Sequence, residues 1–214
     1  MDLLHLKRRS SIAKVINAHC GVSLSLEEVT LFSEIGKNKI IYQADVGVKE
    51  MLAVAVPILE DYDLQNEWEK FEELYHNVPE YFPEPFFYHI LDDGCEVIGM
   101  EMFPHLRLNE VLPDLKTEDA RILTNNIGRA LGYTLAVSGM YCDEPHENNI
   151  LVDPVSLEVK LIDAAHYFSG GINELLRRAE DMQDLSRNYH LNFKAGVVEG
   201  MAEGGQSVDF DDSN

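Results

Sequence analysis

Apolar residues recur at helical spacing through the first twenty positions, with Leu3, Leu6, Ile12, Val15 and Ile16 on one side of a 3.6-residue period. Gly21 suits a helix end, so the pattern predicts a leading helix that packs on the segments after it. From Val29 the period becomes that of strands. Val29 to Ser33, Lys39 to Ala44 and Leu52 to Leu59 are β-rich runs separated by turns near Gly36 and Gly47, which predicts an antiparallel meander. A helix comes next: Asp63 suits its N-cap, Leu64, Trp68, Phe71, Leu74 and Tyr75 form an apolar face, and Glu67, Glu69, Glu72 and Glu73 crowd the other. Prolines between Val78 and Pro85 stop it. Two more strands, Pro85 to Leu91 and Cys95 to Met102, flank Asp92-Asp93-Gly94, a strong hairpin signal.

The second half is mostly helical. A short helix around Leu108 to Leu112 precedes a long one with Thr117 as N-cap, an apolar stripe of Ala120, Leu123, Ile127, Ala130, Leu131 and Leu135, and Gly139 as its stop. Tyr141 to Tyr167 alternates polar loops with the apolar runs around Ile150 to Val152 and before Asp163. One further helix is predicted over Asn173 to His190, and Gly196 to Asn214, rich in Gly, Ser, Asp and Glu, reads as a disordered acidic tail. The expected organisation is a leading helix (1–28), a strand-rich unit (29–102), a helical unit (103–195) and the tail (196–214).

A hydrophobic content of 45% over 214 residues is enough for a sizeable core. The formal charge of −21 argues against nucleic acid or an anionic membrane as a general partner, since both need clustered Lys and Arg. Lys7, Arg8, Arg9 and Lys14 do gather near the start. They read first as a solvated helix face, with an acidic partner as the alternative, and Arg8-Arg9-Ser10-Ser11-Ile12 has the form of a basic-directed phosphorylation target. Three scattered cysteines without a C-x-x-C pair suggest neither disulfides nor zinc and fit a reducing, cytoplasmic compartment. Neither a signal peptide nor an apolar run approaching the roughly 18 residues of a membrane span is expected.

The chemistry concentrates in Tyr141 to Tyr167, where Asp143 is an acidic residue in a short polar loop, and the pair Asn148 and Asn149 with Asp163 offer hard oxygen ligands of the kind Mg²⁺ takes. Their order resembles the catalytic loop and metal-binding aspartate of protein-kinase-like phosphotransferases, H-R-D-x-x-x-x-N followed by D-F-G. The resemblance covers roughly Ser33 to Tyr167 as an order of elements. It implies an α+β, two-lobed protein-kinase-like fold, with an N-terminal antiparallel sheet plus one helix and a reduced, mostly helical C-terminal lobe. It also implies ATP and Mg²⁺, with the γ-phosphate passing to a hydroxyl on a protein or small molecule. Asp143 would be the base and Asp163 the principal metal ligand. Counting from Asp143 selects Asn148 as the second ligand, whereas the context of an Asn directly before an apolar strand selects Asn149, which is favoured.

Several positions depart from the family pattern. Tyr141 replaces the usual His, and Asp163-Ala164-Ala165 replaces D-F-G. His146, in Asp-Glu-Pro-His, is similar to the D-x-H-P loops of aminoglycoside- and choline-kinase-like enzymes, where it would approach the phosphates or brace the loop. Of the glycine loop only Gly36 is present, with Lys37 and Lys39 within reach of phosphates. Pro57 stands where the strand lysine of V-A-I-K belongs, so a substitute would have to come from Lys49, Lys39 or Lys37. Glu67 is the first choice for its glutamate partner and Glu73 the second. The resemblance places backbone groups of Glu101 and Phe103 at the adenine edge, Met100 behind it and Leu151 among the nucleotide contacts. The pattern is nearer the aminoglycoside-phosphotransferase, lipopolysaccharide-kinase and RIO group than the eukaryotic protein kinases. Two alternatives stand beside an active kinase: a pseudokinase that binds nucleotide or a protein partner, and a metal-dependent hydrolase built on Asp143, His146, Glu147 and Asp163.

Overall fold

The computed structural model describes residues 3–33, 38–47, 50–59, 62–179 and 185–208. They form two units, Met1–Glu72 with Pro83–Phe103, and Glu73–Phe82 with Pro104–Asn214. The first unit contains α1 (Leu3–Cys20), β1 (Val29–Ser33), β2 (Lys39–Gly47), β3 (Glu50–Pro57), most of α2 (Leu64–Asn77), β4 (Pro85–Ile90) and β5 (Glu96–Glu101). Its strands pair antiparallel in the order β1-β2-β3-β5-β4.

Alternation along the strands sorts their side chains between two helices. Tyr42, Ala44, Leu52, Val54, Val56, Phe87 and Val97 meet Ile12, Ala13, Val15 and Ile16 of α1. The opposite face carries Ala55 and Ile98 against Leu64 of α2, with Ile41, Tyr62, Trp68, Tyr88 and Met100 packed around them. Burying one such aliphatic side chain contributes about 1.5–3 kcal/mol. The leading helix, expected to pack on the segments after it, thus forms one side of the first unit's main core.

The second unit holds β6 (Leu106–Arg107), α3 (Leu108–Val111), α4 (Thr117–Ser138), β7 (Met140–Cys142), β8 (Ile150–Val152), β9 (Val159–Leu161), β10 (Tyr167–Ser169), α5 (Ile172–Ala179) and α6 (Leu185–Glu203). Two small antiparallel sheets, β6-β8-β9 and β7-β10, carry the loops of interest. The apolar stripe of α4 is buried as expected. Its N-cap is Lys116, not Thr117: the Lys116 carbonyl already accepts the Ala120 N–H at 2.9 Å, so Thr117 is the first helical residue. At the other end Gly139 adopts φ +70°, which lets its N–H return to the Leu135 carbonyl.

The C-terminal part departs from expectation. Of the helix expected over Asn173 to His190, the described residues are helical in α5 and in the first turns of α6, and α6 runs on through residues 196–203, which the composition assigns to a disordered tail. Gly196 and Gly200 give α6 a side bare of side chains, which Gly204 continues just past its end, and Gly128 and Gly132 do the same for α4. A Cβ on Gly196 would fall on the Asn125 carbonyl, on Gly200 on that of Arg129, and on Gly128 and Gly132 on those of Phe193 and Val197. Residues that break helices in isolation here permit two helices to touch backbone to backbone. Arg129 and Glu203 close the contact with an ion pair at 2.7 Å. Among the described residues no helix is long and apolar enough to cross a membrane.

Candidate functional site

Pro57 ends β3 with neither a charge nor an N–H, and the residue paired with it across the ladder is Lys39, at the start of β2. Directly opposed residues in an antiparallel pair share a face. That face is the one under α2, because Ile41 and Ala55, each two residues away along its strand, both pack on the Leu64 side. Lys39 therefore projects from the same face as a lysine at 57 would, one strand over. Its Nζ lies 2.6 Å from Glu67 Oε1, with side-chain exposures of 14% and 3% for the pair. Tyr62 donates its hydroxyl to Glu67 Oε2 at 2.9 Å. A buried carboxylate persists when it is paired and hydrogen-bonded, and these two donors meet that need. Glu69, Glu72 and Glu73 are not buried, so burial separates Glu67 from the other three and removes Glu73, the second choice. Nothing in the sequence marks Tyr62 beyond an aromatic residue five positions ahead of Glu67.

The second unit gathers Asp143, the Asn pair and Asp163 through backbone bonds. β7 pairs with β10, and past its end the Asp143 N–H reaches the His166 carbonyl at 2.8 Å. β8 pairs with β9, and past its end the Ile162 N–H reaches the Asn149 carbonyl at 3.0 Å. Asp163 lies between those two anchors, at the N-cap of a short 3₁₀ turn, Ala164–His166. Its backbone is left-handed, φ +73° and ψ +70°, a conformation that costs a non-glycine residue on the order of 1 kcal/mol and clusters at functional positions.

Beneath this loop the polar groups are kept neutral. Burial pushes the Cys142 thiol up to about 12, and burial with the neighbouring thiol raises the Tyr167 hydroxyl. Cys142 and Tyr167 are ladder partners, so the platform is continuous. Glu144 and His166 approach at 3.6 Å on the rim, linking the Asp143 loop to the turn after Asp163.

The other expected residues divide in several ways. His146 sits at the N-cap of the Glu147–Asn149 turn and its Nδ1 accepts the Asn148 N–H at 3.1 Å, the bracing arrangement of the two foreseen for it. Asn148 and Asn149 are both half-buried, so burial does not rank one above the other. Met100 packs against Ala55, Leu64 and Ile98. The Glu101 N–H is bonded to the Glu84 carbonyl at 2.8 Å, and Phe103 ends the first unit. Leu151 is half-buried on β8 between the buried Ile150 and Val152. Gly36, Lys37 and Lys49 lie outside the described residues. Among the described residues no three His, Cys, Asp or Glu side chains gather to hold a metal, which leaves the hydrolase cluster of Asp143, His146, Glu147 and Asp163 without support.

No protein-family model matches the sequence, and no curated protein matches it. Among solved structures, the kinase PK-1 of Cydia pomonella granulovirus matches with a TM-score of 0.54 and 15% sequence identity, over 76% of this chain. The match takes in 58% of that kinase, so this chain spans well under two thirds of its length. The fold is kinase-like, an α+β architecture with a five-stranded antiparallel sheet in one unit and mainly helices in the other.

Proposed function

We propose that the protein is an ATP- and Mg²⁺-dependent phosphotransferase in which Lys39 takes the part of the strand lysine that Pro57 cannot play. One observation carries this reading: the buried Lys39–Glu67 pair, rooted directly across the ladder from Pro57. A surface ion pair would carry little weight, but a nearly buried one between a sheet and its helix is costly to keep and calls for a use. The lysine would neutralise phosphate charge, and Glu67 would fix its direction.

The donor set of the second unit suits a hard cation. Asp163 offers a carboxylate and Asn148 or Asn149 an amide oxygen, and Mg²⁺ held there would offset charge on the phosphate oxygens. Asp143, tied by its N–H to the turn that follows Asp163, would orient the acceptor hydroxyl and take its proton. His146 holds the turn between them. The Asp-Glu-Pro-His loop fits the aminoglycoside-phosphotransferase, lipopolysaccharide-kinase and RIO group.

Melting temperatures measured with ATP and Mg²⁺, singly and together, test the reading, because a ligand of the folded state raises them. The expected result is a rise that needs both, with ADP released on incubation. A rise without turnover would make the protein a nucleotide-binding pseudokinase. No rise under any combination would overturn the nucleotide reading.

A further inference from the structure

We propose that Tyr62 is a positioning residue for the nucleotide-facing lysine, a role resting on the assignment of Lys39 above. Glu67 accepts Lys39 on Oε1 and Tyr62 on Oε2, one donor on each oxygen of the pair. The last torsion of a glutamate is broad and two-fold, so a bond on one oxygen alone leaves the carboxylate free to swing. The second bond fixes its plane. The Tyr62 ring also lies under the ammonium, its centroid 5.6 Å from Lys39 Nζ, within cation–π range.

Tyr62 is itself held. Its N–H bonds to the Leu59 carbonyl, its own carbonyl receives the Leu64 N–H that opens α2, and its ring packs against Ala55, Leu64 and Ile98. The relocation of the lysine explains why such a residue is useful. A side chain rooted on β2 reaches Glu67 from a different origin than one on β3, along a flexible four-carbon stem. The tyrosine compensates by fixing both the acceptor's orientation and one flank of the ammonium.

A merely structural tyrosine would lower stability without caring which residue stands at 39. A positioning tyrosine acts through Lys39, so its effect disappears when that lysine is gone. Binding of ATP with Mg²⁺ is measured by titration calorimetry on the full chain for wild type, Tyr62→Phe, Lys39→Met and the double variant. Tyr62→Phe keeps the ring and its packing, and is expected to weaken binding roughly tenfold, the scale of a hydrogen bond to a charged group. In the Lys39→Met background it is expected to change nothing. Tyr62→Gln, which keeps a donor without the ring, is expected to bind more tightly than Tyr62→Leu, and this comparison serves if the phenylalanine variant does not fold. Equal losses from Tyr62→Phe in both backgrounds, or equal affinities of the Gln and Leu variants, would overturn the role of Tyr62. Unchanged binding in Lys39→Met alone would instead overturn the assignment of Lys39, and the inference with it.

Discussion

Moving one positive charge across the ladder tests the central assignment most directly. Lys39→Ala removes the Lys39 ammonium from the Glu67 carboxylate, whose side chain is 3% exposed. Removing one partner of a buried pair costs about 3–5 kcal/mol, and the residual exposure of Lys39 together with the remaining Tyr62 bond argues for the lower end. About 3 kcal/mol in a chain of this size corresponds to a fall in Tm of roughly 6–12 °C. Lys39→Ala/Pro57→Lys then returns the ammonium from the paired position. Paired Cα atoms are only about 4.5–5.5 Å apart and share a face, so at least half of the lost stability and the ATP-dependent rise in Tm are expected to return. Lys39→Met/Glu67→Gln separates fold from function: with both charges gone the stability largely recovers, while the ATP-dependent rise stays absent. Thermal melts by circular dichroism, with and without ATP and Mg²⁺, provide both readings. A loss under about 1 kcal/mol for Lys39→Ala, or a Lys39→Ala/Pro57→Lys variant no better than Lys39→Ala, would refute the assignment.

Asp143→Asn is expected to abolish ADP release while leaving nucleotide binding near wild type, and Asp163→Asn to weaken the Mg²⁺-dependent binding itself; turnover that survives Asp143→Asn would remove the base from the scheme. Because burial holds the Cys142 thiol up to about 12, against an unfolded value near 8.5, the folded chain keeps a proton that the unfolded chain sheds. Its contribution is complete below the unfolded value and disappears as pH rises towards about 12. The sign is that of a neutral group whose charging is resisted by the fold: as pH climbs past about 8.5 the unfolded chain alone gives up the proton and gains on the folded one. Cys142→Ala should therefore show a shallower loss of stability than wild type over that window in urea titrations, and parallel slopes would contradict it. Gly200→Ala would stabilise a free helix by up to about 1 kcal/mol, but here the new Cβ meets the Arg129 carbonyl. A net loss of about 1–3 kcal/mol is expected from overpacking, and a gain would mean that α6 does not rest on α4 as described.

How much the sequence reveals depends on whether the information is local. Strands β1 to β5, the Asp92-Asp93-Gly94 turn and the stripe of α4 are all legible because each follows from a period or a turn residue within a few positions. Asp143 and Asp163 stand out in the sequence only through their resemblance to a known motif, and the pairings that anchor their loops, β7 with β10 and β8 with β9, belong to the fold. Lys39 and Glu67 appear in the sequence among several candidates, and the register that sets Lys39 opposite Pro57 is a long-range property of two strands. Tyr62 carries no local signal at all. The fate of Gly196, Gly200 and Gly204 is misread for the same reason, because a bare helix side is a defect until a second bare side, at Gly128 and Gly132, is known to face it.

The pairing of Lys39 with Pro57 also constrains how this sequence can change. With Lys39 present, a lysine at 57 would set two ammonium groups side by side before one carboxylate, and like charges directly opposite one another destabilise a sheet. With Lys39 absent, the same lysine restores the pair. The substitution at 57 thus reverses its sign of effect with the residue at 39, so single steps in either order cross a less fit intermediate. Descendants of such a chain would be expected to stay locked in whichever arrangement they inherit, and what is preserved along the lineage is the place of a charge on a face, whichever strand supplies it.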